Sequence, residues 1–322
     1  MAPSTVAERL ELLDRLADER GITLERDAPI GPLTTLRVGG VADRLAVAAS
    51  VDELVAALEL ARDAGVPGGV IGKGSDLVVA DRGIRGLVIR NRADRIELGD
   101  HGAVRADGGA AMAALVKRCT AAGLAGIEFG ISIPGTVGGA VWANAGAHGG
   151  EMKDVVTAVR AWSPADGRLE LGAAECAFAY RESRFKSSGE IVLDADLRLG
   201  GGEPTEIADR VSGLQQHRRA TQPLAEQNAG SVFRNPPGDH AGRLIEAAGL
   251  KGFRIGSAEV STLHANFIVV DRGGRAADVR AVGDHARSVV AERFGVRLEY
   301  EIEFVGEWPE LAPPASRLAG VA

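Results

Sequence analysis

Gly69–Ala80 reads GVIGKGSDLVVA: a β-branched run, a glycine-rich turn, and a second β-branched run. The residues after the turn decide the fold. In a dinucleotide-binding βαβ unit such a turn opens a helix, but here Leu77-Val-Val-Ala80 continues as strand. A Walker A loop is excluded too, because no Lys-Ser/Thr pair comes after Gly74. Two readings of the turn remain. Successive N–H groups over Gly72, Lys73, Gly74, Ser75, Asp76 and Leu77 can form an anion nest suited to a diphosphate. A tight hairpin loop would have the same sequence.

Working outward, Thr5-Val-Ala-Glu8 and Ser50-Val-Asp-Glu53 are capping boxes, predicting helices that run to Gly21 and Gly65. TTLRVGGVADRLAVAAS (34–50) holds two short strand-like runs around Gly39-Gly40, and GLVIRN (86–91) is another strand. The βαββ order makes this an α/β unit. From about residue 94 the texture changes. RIELGDHGAVRADGGA (95–110) alternates like a hairpin, and a helix over 111–122 comes next. Strands resume at 155–162 and 190–199, and a helix over 207–219 leads into the last third. That third holds helices over 241–249 and 276–294 and strands at 264–270 and 298–305. The organisation expected is an N-terminal helix (1–30), two subdomains (31–93 and 94–213), a further domain (214–308) and a loose Pro/Ala-rich tail (309–322).

Composition narrows the function. The 322 residues are 45% hydrophobic and 25% charged, ordinary for a globular enzyme. A net charge of -7 and 4% aromatics argue against a nucleic-acid partner, which calls for a basic stripe or stacking platforms. Cys119 and Cys176 stand far apart and outside any C-x-x-C pattern, which suggests a reducing compartment. No signal peptide or membrane-length apolar run is present, so a cytoplasmic protein without a membrane partner is expected.

A second glycine cluster, IPGTVGGAVWANAG (133–146), lets a backbone approach something flat or phosphorylated. It could equally pack two subdomains together. Lying about sixty residues beyond the first cluster, it fits one large nucleotide cofactor held between them. FAYRESRFK (178–186) carries three cations and a tyrosine. It reads either as a solvated basic strand end or as Arg181 and Lys186 facing an anionic substrate. LEYEIEFV (298–305) puts Glu299, Glu301 and Glu303 on one face, by pattern a solvent-facing row. The six histidines show no metal-ligand spacing, and no metal is expected. NAGSVFRNPP (228–237) sets Ser231 on a small-residue turn, outside the G-x-S-x-G elbow of hydrolases. His240 or His264 could approach it in space, but nothing in the sequence says so.

Several segments together resemble one family, the UDP-N-acetylenolpyruvoylglucosamine reductases, flavoenzymes of peptidoglycan precursor synthesis. They are TTLRVGG (34–40), GKGSDLVV (72–79), IPGTVGGAVWANAGAHGGE (133–151), YRESRFK (180–186), the long block 222–269 and RLEYEIEFVGE (297–307). The close spacing from YRESRFK to QNAGSVF resembles the family's shorter type, which lacks an inserted tyrosine-bearing loop. The resemblance implies an FAD-binding fold of the vanillyl-alcohol-oxidase type (α+β and α/β subdomains) plus a C-terminal α+β substrate-binding domain. It implies bound FAD, NADPH as reductant, and UDP-N-acetylglucosamine enolpyruvate as the small-molecule substrate of a chain expected to act as a monomer.

The same resemblance implies the site residues. For the cofactor they are Arg37, Gly72, Lys73, Gly74, Ser75, Asp76, Leu77, Pro134, Gly135, Thr136, Gly138, Gly139, Asn144 and Gly146. For the substrate they are Tyr180, Arg181, Asn228, Arg234 and Asn235. Arg181, Ser231 and Glu301 match the catalytic positions. Hydride addition to the enolpyruvyl group leaves negative charge beside its carboxylate, which preorganised cations and donors must meet. Ser231 matches the proton donor, a weak acid that serves because the carbanionic intermediate is strongly basic. Glu301 helps only if protonated, its pKa raised, or if it donates through a neighbour. The chain departs from the common pattern at Lys73 and Asp76 (family G-G-G-S-N), at Ser132 (family G-I-P-G) and at Arg234 (family F-K-N-P). Two competing readings are an oxidase on the same FAD fold and a nucleotide-sugar-binding protein that has lost redox chemistry.

Overall fold

The computed structural model describes residues 5–309, so the expected tail lies, beyond Pro309, outside the described residues. The first capping box closes on itself. Thr5 Oγ1 accepts from Glu8 N–H and the Glu8 carboxylate accepts from Thr5 N–H, opening the helix Val6–Arg20. The second differs in one bond. Ser50 caps Val51–Ala64, but the Glu53 carboxylate accepts from Ala49 N–H, one residue further back. Both helices end where expected, at Gly21 (φ 67°) and Gly65 (φ 65°), in the left-handed region glycine enters without steric cost.

These helices cover one face of a four-stranded sheet in the order Glu25–Pro29, Val41–Ala48, Ile84–Asn91, Gly68–Ile71. The last three strands are parallel and the first is antiparallel. Leu13 and Ala17 share a core with Leu54, Leu58, Leu87 and Ile89. Within the segment expected as an N-terminal helix (1–30), the helix Val6–Arg20 packs on Val51–Ala64 and the strand Glu25–Pro29 pairs with Val41–Ala48.

The strand after the glycine turn, Leu77–Val79, does not fold back as a hairpin. It pairs in parallel with Glu303–Val305, the final strand of the described chain. Leu77, Val79 and Val305 are buried with Ile71 and Ile84 in one cluster. The last strand thereby bridges two domains: Val305 is buried against the first, while Phe304 and Trp308 pack in the core of the third.

The second subdomain is a five-stranded antiparallel sheet in the order Gly167–Gly172, Val156–Ser163, Ile191–Arg198, Ala103–Asp107, Ile96–Leu98. The helices Met112–Ala121, Val137–Trp142 and Pro204–Thr221 close its core. Pro204–Thr221 runs through the boundary expected at 213/214, because Ile207 and Val211 are buried in this subdomain. FAYRESRFK is no strand end: it is a turn leading into the short helix Phe185–Ser188, anchored by fully buried Phe185. The third domain packs the helices Ala241–Ala247 and Ala276–Phe294 with the sheet Gln227–Asn228, Ile268–Val270, Ala258–Val260, Arg254–Ile255.

On the five-stranded sheet Asp196 takes Arg160 Nη1 at 2.9 Å and Arg105 Nε at 2.8 Å. The Arg160 hydrogen bond, seconded by Arg105, lowers its pKa to about 2 against the opposing effect of burial. A depressed carboxylate stabilises the fold above its unfolded value near 4, and that contribution disappears as pH falls toward 2. Asp196→Asn is expected to lose about 1–2 kcal/mol at pH 7, allowing for solvent screening. Its stability should also fall less steeply between pH 4 and pH 2. Urea unfolding at several pH values checks this, and equal acid sensitivity in both proteins would refute it.

Candidate active site

The loop 228–237 explains its own composition. Val232 and Phe233, odd choices for a solvated loop, are its anchors, each 2% exposed. Asn266 clamps them: its Oδ1 accepts from Phe233 N–H (3.0 Å), its Nδ2 donates to Phe233 C=O (2.8 Å), and its carbonyl accepts from Val232 N–H (2.8 Å). The loop then zips onto the segment 299–301, Glu301 N–H donating to Val232 C=O and Arg234 N–H to Glu299 C=O. Ser231 is thus held beside Glu301. Among the described residues its hydroxyl has no hydrogen-bond partner.

Arg181 arrives from a turn in which its own φ is 55°, a conformation that costs a non-glycine residue roughly 1 kcal/mol or more. Two bonds hold the guanidinium, Nε to Glu301 Oε1 at 2.7 Å and Nη2 to Gly146 C=O at 2.7 Å. The turn is tied from beneath by Asn144, whose Nδ2 donates to Ala179 C=O (2.8 Å) and to Glu151 Oε2 (3.0 Å). Its Oδ1 accepts from Lys153 N–H. Glu301 therefore carries an ion pair with Arg181. The row of carboxylates is divided: Glu299 is exposed, whereas Glu301 pairs with Arg181 and Glu303 meets Lys186 Nζ at 3.2 Å.

Two cavities open on this cluster. The first, ≈ 320 Å³, lies between the two glycine segments and is lined by Ser75, Asp76, Pro134, Gly135, Gly139 and Gly146 among others. The second, ≈ 380 Å³, lies in the third domain and includes Tyr180, Asn235, His240, Arg243 and His264. Arg181, Ser231 and Glu301 are the three residues common to both linings. Both volumes are those of small-molecule sites.

A Cβ on Gly72 would stand 2.5 Å from Thr136 Oγ1, so these residues weld the two glycine turns together. Gly74 C=O accepts from Thr35 N–H, and Gly138 packs on Gly108. Leu77 is fully buried in its ladder. Lys73 and Arg37 are exposed and line neither cavity. Asn144, expected at the cofactor, is 0% exposed, and its side-chain amide bonds Ala179 C=O and Glu151 beneath the Arg181 turn. Asn228, expected at the substrate, spends its amide on Pro223, Glu226 and Gly230 within its own loop. Arg234, expected there too, pairs with Glu182 at 2.7 Å. Neither Asn228 nor Arg234 is in the lining of either cavity.

Sequence reasoning missed His148, Arg218 and Gln222 of the first cavity and Arg243 of the second. His148, Gln222 and Arg243 lie inside the segments that resemble the family, and Arg218 lies just before one of them. Arg218 donates to Gln222 Oε1 at 3.0 Å, and no described carboxylate neutralises it. His240 and His264, left open in sequence, do share a cavity with Ser231. Burial lowers the pKa of His264. Among the described residues no cluster of three or more His, Cys, Asp or Glu could hold a metal ion, and no helix is long and apolar enough to cross a membrane.

Comparison with known proteins matches two family models: an FAD binding domain over residues 42–171 and the C-terminal domain of UDP-N-acetylenolpyruvoylglucosamine reductase over 222–305. The second begins where the helix Pro204–Thr221 ends. A reductase of that name from Symbiobacterium thermophilum is 44% identical, covering 96% of this chain and 100% of its own length. One from Anaeromyxobacter dehalogenans is 46% identical over 88% of this chain and 86% of its own. The crystal structure of the Thermus caldophilus enzyme superposes with a TM-score of 0.76 at 36% identity, covering 89% of this chain and 100% of that one. These matches bear out the expected fold class, an FAD-binding fold with a C-terminal domain after it. A match to the C-terminal domain as well as the flavin domain sets aside an oxidase that shares only the latter. With whole-length identity at this level and the two cavities joined at Arg181, Ser231 and Glu301, the chain belongs to the UDP-N-acetylenolpyruvoylglucosamine reductase family.

Proposed function

We propose that this chain, acting as a cytoplasmic monomer, reduces UDP-N-acetylglucosamine enolpyruvate to UDP-N-acetylmuramate with FAD as bound cofactor and NADPH as reductant. One observation carries the residue assignment: Arg181, Ser231 and Glu301 are shared by a cavity walled with glycine turns and a cavity in the C-terminal domain.

The first cavity fits FAD. Its walls are small residues, its edge carries Arg218 without a carboxylate partner, and Asp76 Oδ1 is a buried polar atom with no partner of its own. Ser75, Asp76, Pro134, Gly135, Gly139 and Gly146 would hold the cofactor, with Arg218 suited to its diphosphate. FAD held there would supply the two-electron chemistry that links NADPH oxidation to reduction of the substrate.

The protein's part is electrostatic and protonic. Arg181 presents a fixed positive charge where the two cavities meet, so charge arising on the substrate's carboxylate side needs no reorganisation to be met. Glu301 and the Gly146 carbonyl fix the guanidinium plane. Ser231, whose hydroxyl no described acceptor engages, is free to hand its proton to the adjacent carbon. Tyr180 and Asn235 line the second cavity, and Asn235 Oδ1 caps the helix at Ala241 (3.0 Å), which keeps that wall in place.

The test is NADPH oxidation by the purified protein with and without UDP-N-acetylglucosamine enolpyruvate. The protein should be yellow, and turnover should require that substrate. A protein that takes up no flavin, or that consumes NADPH equally without substrate, would sink the assignment.

A further inference from the structure

Asp76 stands out among the polar groups of the first cavity. Its Oδ1 is buried without a hydrogen-bond partner, although the residue is in the cavity lining. Its backbone is fixed: Asp76 C=O accepts from Glu303 N–H at 2.9 Å, and Leu77 beside it is locked in the ladder with Glu303–Val305.

The charges around it are unbalanced. From the chain's last described segment Glu301 and Glu303 face it, and from the short helix Phe185–Ser188 comes Lys186. The same cavity lining carries Arg181, Arg218 and His148. The two nearer cations are already engaged. Arg181 Nε holds Glu301 at 2.7 Å, and Lys186 Nζ holds Glu303 at 3.2 Å while lying over the Trp142 ring at 4.2 Å. Arg218 is bonded to Gln222 at the edge. Three carboxyls thus share two engaged cations, and a bare carboxylate on Asp76 would be both desolvated and repelled.

We propose that Asp76 is carried as the neutral acid and donates a hydrogen bond from its hydroxyl into the first cavity, so that holding the flavin cofactor is coupled to one proton on this side chain. The proposal rests on the FAD reading of that cavity. Burial, and then Glu303, push the Asp76 pKa up to about 7, with Lys186 pulling the other way. The proton is present below about 7 and is lost above it, so the protein without flavin must take up a proton to bind it at alkaline pH.

The purified flavoprotein, diluted at fixed pH from 6 to 9, releases flavin that fluorescence reads at equilibrium. The wild-type dissociation constant is expected to be flat near pH 6 and to rise about tenfold or more between pH 6.5 and 8.5, approaching tenfold per unit. Asp76→Asn keeps a donor but cannot titrate, and should hold flavin with a pH-independent constant. Glu303→Gln, which removes a repelling charge and frees Lys186, should move the break to lower pH. Calorimetry in buffers of different ionisation heats at pH 8 should show close to one proton taken up per FAD in the wild type and none in Asp76→Asn. A wild-type constant unchanged over this range, or a break or proton uptake that persists in Asp76→Asn, would overturn the proposal alone. Failure to hold flavin at any pH would overturn it together with the FAD reading.

Discussion

Ser231→Ala is expected to divide the reaction at its middle. Flavin reduction by NADPH should stay within about twofold of wild type, while reoxidation by UDP-N-acetylglucosamine enolpyruvate should slow by about 10²–10⁴-fold, the range for loss of a positioned proton donor. The structure makes the substitution clean. The Ser231 hydroxyl bonds no described residue, and the loop is held by Asn266 and the Val232–Glu301 bond, neither of which involves the serine side chain. The loop should therefore survive the loss of one oxygen. Stopped-flow absorbance at the flavin band separates the two half-reactions. Equal loss in both would mean a disturbed flavin site, and unimpaired reoxidation would mean that another group supplies the proton. His264, in the same cavity, would be the next candidate.

How much the sequence revealed depends on how local each feature is. The helices opened by Thr5 and Ser50 were legible because capping is written within four residues and stopped by one glycine. The turn at 72–76 was legible as strand–turn–strand, since β-branched runs flank it. Its partner was not: Leu77–Val79 pairs with Glu303–Val305 from far along the chain, and nothing local records a parallel pairing over that separation. That pairing delivers Glu301 and Glu303 to the glycine turn and gives Asp76 its surroundings. Asn144 shows a different limit. Motif position marked it for the cofactor, but only the fold shows its amide bonding Ala179 and Glu151 beneath Arg181. For FAYRESRFK the sequence left a basic strand end and an anion-facing cluster open. The fold divides its cations, sending Arg181 and Lys186 to the cavity and Arg184 to a fork on Glu190.

Arg181→Lys should cost about 10²–10³-fold in the rate of substrate reduction, the scale of removing one preorganised stabiliser of developing negative charge. Charge is conserved in this change, so the loss would measure geometry. The arginine fork reaches Glu301 Oε1 through Nε and Gly146 C=O through Nη2, each at 2.7 Å, and its plane is thereby fixed before substrate binds. One ammonium on a flexible stem cannot hold both and still present a charge at the same place. If Glu301 acts by orienting this fork, Glu301→Gln should lower the same rate by about tenfold in the wild type. It should lower it by much less in the Arg181→Lys background, where little orientation is left to lose. A double-mutant cycle on the reoxidation rate reads that difference directly. Additive losses would give Glu301 a separate role in proton handling, and full activity in Arg181→Lys would remove Arg181 from the catalytic assignment. Flavin content should be unchanged in both variants, because Arg181 touches the first cavity only through the wall it shares with the second. The positive φ at Arg181 adds a control: Arg181→Gly relieves the 55° strain while deleting the charge, so it should fold at least as stably as Arg181→Lys and be no more active.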